Sequence, residues 1–91
     1  MDDPSVRLLS KASNFALVQL TERHSPGVVF QGDSLHSLVQ QLRRMELLLR
    51  AGDLVELQDE IVGTREQMDA VLRHYEKSCL DLGIRLPYVS P

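Results

Sequence analysis

One cysteine, no tryptophan and four aromatic rings (two Phe, two Tyr) are all that 91 residues supply of those types. A lone Cys79 cannot build an internal disulfide framework, which points to a reducing compartment. With so few rings, a core falls to Leu and Val. No apolar run approaches membrane-spanning length. The opening Met1-Asp2-Asp3-Pro4 lacks the basic segment and apolar run of a signal peptide. Basic residues are not in excess either: ten Lys and Arg face thirteen Asp and Glu, a net charge of −3. That balance argues against general nucleic-acid binding, which needs cations to neutralise phosphates. The expectation is a cytoplasmic protein that binds neither membrane nor nucleic acid.

Signatures of chemistry are equally scarce. No G-x-x-x-x-G-K or G-x-G-x-x-G is present, so no nucleotide cofactor is expected. There is no C-x-x-C, and His24 and His36 have no second ligand at metal spacing. His74 and Cys79 are five apart, about 140° around a helix, where joint metal binding prefers i, i+4. Asp33, Ser34 and His36 cluster at one helix start. A triad needs its base aimed at a hydroxyl and oriented by a buried acid, so these residues read as cap, first-turn filler and surface. Cys79 lies on an apolar stripe and reads as a buried, inert thiol. No catalytic, metal or cofactor residues are assigned.

What the chain does contain is a well-punctuated α+β pattern, with 43% apolar residues, enough for one small core in a single domain. Residues 14–21 alternate: Ala16, Val18 and Leu20 face one way, Phe15, Leu17 and Gln19 the other. Pro26-Gly27 makes a turn, and the β-branched run that follows favours a second strand at 28–31. So short a link makes the pair an antiparallel hairpin. Residues 1–12 read as a helical turn or a loose arm, leaving no clear third strand before the helices.

Gly32 stops the second strand, and Asp33 is expected to cap a helix over about 34–51. Its stripe is Leu35, Leu38, Val39, Leu42, Met45 and Leu49, with Leu47 and Leu48 as spare apolar surface. Gly52 ends it. Asp53 opens the second helix, about 54–82, with Glu56 three residues on as in a capping box. Its stripe is Leu54, Leu57, Ile61, Thr64, Met68, Val71, Leu72, Tyr75, Cys79 and Leu82. The short link forces an antiparallel helical hairpin, with Leu38, Leu42, Leu57, Ile61, Met68 and Val71 expected at its buried seam. Gly83 and Pro87 stop the helix, and the tail 84–91 is extended and apolar enough to dock back, either as a third, C-terminal edge strand or across the helices.

Charge is unevenly placed. Between Ala51 and Asp69, six acids (Asp53, Glu56, Asp59, Glu60, Glu66, Asp69) face the single base Arg65, a local net of −5. A solvated face accounts for this. So does a contact surface for a basic partner, whose encounter such a field would speed.

The stretch Ser25-Pro-Gly-Val-Val-Phe-Gln-Gly-Asp-Ser-Leu-His-Ser-Leu38 resembles the strand-to-helix joint of HicB-like antitoxins. Asn14-Phe15-Ala16-Leu17, Pro26 to Leu35 and Gly83 to Val89 together resemble, over most of the chain, a group of small uncharacterised bacterial proteins. The chain has no helix-turn-helix or ribbon-helix-helix tail, so operator binding does not carry over. What the resemblance implies is a small α+β protein that works by occupying a partner.

The sequence reading is therefore an α+β fold: a two-stranded antiparallel hairpin, open to a third C-terminal strand, packed on an antiparallel pair of helices. The function expected is non-enzymatic neutralisation of a basic toxin domain, as by an immunity protein or antitoxin, through Glu56, Asp59, Glu60, Glu66 and Asp69. The alternative is a homo-oligomerising assembly module, a homodimer included, using the surface at Leu47 and Leu48.

Overall fold

A computed structural model describes residues 6–9, 15–21 and 23–89. The elements run β1 (Val6–Leu8), β2 (Phe15–Leu20), β3 (Gly27–Phe30), α1 (Gly32–Ala51) and α2 (Leu54–Asp81). The fold class is α+β, with the expected hairpin and the expected helix pair. The chain divides into two compact units: residues 1–30 with 72–91, and residues 31–71.

In the first unit the strands lie in the order β1-β2-β3, antiparallel throughout. The β2–β3 hairpin pairs Leu17 with Val28 and Phe15 with Phe30. A third strand exists, but it comes from the other end of the chain. Val6–Leu8 pairs with β2, Val6 opposite Leu20 and Leu8 opposite Val18. Residues 6–9 are thus neither helical turn nor loose arm, the Leu9 N–H donating to the Leu17 carbonyl, whereas residues 1–5 and 10–12 of that reading fall outside the described residues. The free edge of β2 offers unpaired N–H and C=O groups, and three residues suffice to satisfy part of it. Residues 84–89 form no strand. Instead Ile84 and Leu86 pack against the core through their side chains.

That core is small. Leu17 is fully buried, as is the thiol of Cys79, and Tyr75 joins them; Leu9, Val28, Ile84 and Leu86 surround the three. Leu17 and its cross-strand neighbour Val28 point to the same side of the pleat, so one face of the hairpin meets the last turns of α2. Burying one such side chain contributes about 1.5–3 kcal/mol. The Tyr75 hydroxyl is kept from stranding in this apolar setting by donating to the Pro26 carbonyl at 2.9 Å. Cys79 is a buried free cysteine, as expected of its position.

The second unit is the helical hairpin. Gly52 takes φ 74°, a left-handed conformation that lacks a steric cost only at glycine. Its N–H donates to the Leu49 carbonyl, and the Asp53 N–H donates to that of Leu48, a Schellman ending. The same motif closes α2 at Gly83, φ 68°. Asp53 caps α2 as expected, its carboxylate accepting the Glu56 N–H at 3.2 Å. Asp33 does not cap α1. The helix starts at Gly32, with extended Gln31 in the cap position and no side-chain cap bond. Asp33 sits within the first turn, where its carboxylate accepts the Ser34 N–H at 2.8 Å.

The expected seam is only partly realised. Leu38, Leu57, Met68 and Val71 are half-buried, but Leu42 and Ile61 are exposed, and no residue of α1 is buried. Thr64 is the buried residue of the hairpin, its hydroxyl donating to the Gln41 side-chain carbonyl at 3.2 Å. The apolar stripe of each helix is wider than one partner helix can cover, so its flank stays in solvent.

Candidate protein-interaction surface

The five acids expected to meet a partner occupy three environments. Arg44 of α1 reaches across to α2, placing Nε 3.4 Å from Glu60 Oε2 and Nη2 4.0 Å from Glu56 Oε2. Arg65 Nη1 donates to Asp69 Oδ2 at 2.9 Å, one turn on in the same helix. Asp59 and Glu66 are exposed and take part in no ion pair or hydrogen bond among the described residues. Seven apart, those two share a line along α2, while Glu56 and Glu60, four apart, share another. The acids therefore form no single patch, and the two on the inner line already face an internal guanidinium. Exposed pairs of this kind contribute about 0–1 kcal/mol, so Arg44 offsets charge more than it locks geometry.

At the start of α1 no hydrogen bond joins His36 to Asp33 or Ser34 among the described residues. Asp33 is engaged with the Ser34 backbone, and the His36 ring nitrogen lies 3.4 Å from the Gln40 amide. Among the described residues no three His, Cys, Asp or Glu side chains gather as metal ligands. An open groove of about 590 Å³ in the first unit is lined by Leu20, Arg23, His24, Ser25, Pro26, Gly27 and Pro87. Its His24 and Ser25 share no hydrogen bond among the described residues.

The apolar flank of the hairpin is the larger feature. Leu35, Leu42 and Leu49 recur every seven residues along α1, and Leu54 and Ile61 continue the same spacing on α2; all five are between 47% and 64% exposed. Sequence reasoning assigned Leu42 and Ile61 to the inner seam. The seven-residue period does not separate the rows, because Leu38 and Met45 share it with Leu35, Leu42 and Leu49 at only about 60° of rotation. Of the pair read as spare surface, Leu47 is 63% exposed and Leu48 is half-buried, because one turns away from α2 and the other towards it.

The profile of a family of unknown function, DUF6959, matches residues 1–88. The chain belongs to that family. No curated protein and no solved structure matches it. Among the described residues, no helix is long and apolar enough to cross a membrane.

Proposed function

We propose that this member of the DUF6959 family is a non-enzymatic protein-binding module whose helical hairpin is the binding element. One observation carries the reading. A 20-residue helix, α1, has no buried residue, while its leucines repeat at the spacing of a helix-packing seam. Helices in water draw most of their stability from packing an amphipathic face, so a face left half-covered is built to be covered. The test is chemical cross-linking of the chain in its native host, compared with a Leu35→Gln/Leu49→Gln variant of unchanged helical circular dichroism. Cross-linked protein species should form with the wild type and vanish with the variant. An identical pattern from both would rule the hairpin out as the binding element.

A second reading, neutralisation of a basic toxin, is favoured by Asp59 and Glu66, which have no partner among the described residues and sit in a stretch of net −5. On this reading they occupy a basic cleft in place of its anionic substrate. Glu56 and Glu60 contribute less, since binding would set a toxin cation against Arg44.

A further inference from the structure

Resting on the reading of the hairpin as a protein-binding element, we infer that its occupant is a second copy of this chain, the two hairpins closing a four-helix bundle. The geometry begins with rotation. A helix advances about 100° per residue, so Leu35, Leu42 and Leu49 lie to one rotational side of the inward row Leu38, Gln41 and Met45. On α2, Leu54 and Ile61 are displaced in the same sense from the inward row Leu57, Thr64 and Val71. Because the helices run antiparallel, equal rotations carry both stripes to the same face of the hairpin. Arg44, Glu56 and Glu60 are rotated the other way on their helices, and they meet across the opposite face at 3.4–4.0 Å. That contact supports the assignment independently: one face carries exposed ion pairs, the other is aliphatic.

Three arguments select a second copy as the occupant. Knobs-into-holes packing requires facing helices with the same seven-residue period, and an identical hairpin brings that period on both of its helices. The surface is also large enough. The five aliphatic residues leave roughly 500 Å² open per copy, so a symmetric pair would cover about 1,000 Å² before any rim is counted, the threshold of a specific interface. Finally, the rim is electrically balanced. Glu46 and Arg50 flank the stripe on α1, and Arg65 and Asp69 flank it on α2, two of each sign. A two-fold axis sets like surface against like surface, so a single-sign rim would repel its copy, and a balanced one can pair. The line through Asp59 and Glu66 could not serve this purpose.

Sedimentation velocity of the full chain over a range of concentrations tests the inference. The wild type should sediment at twice its 10.3 kDa chain mass. Leu42→Gln/Ile61→Gln should sediment as a monomer with helical circular dichroism retained, since both side chains are already half in water. Leu47→Gln, which removes an equally exposed leucine lying off the face, should remain a dimer and so controls for a general loss of apolar surface. A monomeric wild type at the highest concentration overturns the inference, as does a dimer that survives Leu42→Gln/Ile61→Gln. A monomeric wild type that cross-links in the host to a different protein through this face overturns the second copy but leaves the protein-binding reading standing. A monomer that cross-links to nothing through it removes both.

Discussion

Asp33 and Asp53 each follow a glycine at a helix start, and only one of them caps. Asp53→Ala should therefore cost about 0.5–2 kcal/mol, the ordinary loss of an N-cap bond. Asp33→Ala should cost only about 0.3–1 kcal/mol, the value of a first-turn acid near the helix dipole. Chemical denaturation of the two variants checks the order, and equal losses would restore Asp33 as a cap. The difference was not legible in the residues. Asp53 follows a left-handed glycine that reverses the chain, whereas the chain enters α1 from an extended Gln31 that takes the cap position first. A second residue-scale expectation concerns the two tyrosines, the only phenols present. Burial, then the neighbouring Cys79, pushes Tyr75 up from its ordinary value. Partial desolvation of this exposed phenol, then the Glu76 carboxylate, which accepts its hydroxyl hydrogen at 2.9 Å, push Tyr88 up to about 12. An unfolded phenol ionises near pH ~10, so both groups add stability that is complete below that pH. For Tyr88 it is lost as the pH climbs through about 12. Phenolate absorbance should lag in the folded chain relative to the urea-unfolded one, and Glu76→Gln should shorten the lag. Coincident titration curves would contradict this account.

At the scale of elements, β2 and α2 carry the fold while α1 contributes surface. Leu17→Ala should cost about 2–5 kcal/mol, because a fully enclosed site cannot collapse around the loss. Leu80→Ala, 79% exposed, should stay within about 0.5 kcal/mol of wild type. Thermal melts of the two variants rank them, and a reversed order would misplace the core. The strand pair and both helices could be read from alternation, glycine punctuation and three-and-four spacing, to within two residues at each end. β1 could not. Three residues of strand carry too little pattern, and Val6–Leu8 is fixed by the open edge of β2 rather than by its own sequence. The helical seam was legible as apolar but not as to its neighbour. Periodicity says which side of a helix avoids water; it does not say whether the flank holding Leu42 and Ile61 meets its own hairpin or another chain. The acids show the converse. Their clustering along the sequence was plain, but Arg44, which meets Glu56 and Glu60, lies in a separate helix, and only the fold brings it there.

For the whole molecule, salt separates the two modes of association by sign. Two copies of a chain of net charge −3 repel at long range, and the stretch from Ala51 to Asp69 concentrates that repulsion on α2. Raising the ionic strength from about 0.05 to 0.5 M shrinks the screening length from roughly 14 Å to 4 Å, which removes the repulsion while leaving apolar burial intact. If the aliphatic face joins two hairpins, self-association should hold or strengthen over that range. Asp59→Lys/Glu66→Lys, which relieves the same repulsion without touching the face, should make the low-salt dimer tighter and flatten the salt dependence. Capture of a basic toxin runs the other way. Screening would slow its approach to Asp59 and Glu66, and the double reversal would weaken binding at low salt. Sedimentation equilibrium at several salt concentrations, for wild type and double variant, reads the sign directly. A dimer that dissociates steeply with added salt would mean that charge pairing, not the leucine and isoleucine seam, holds the copies together.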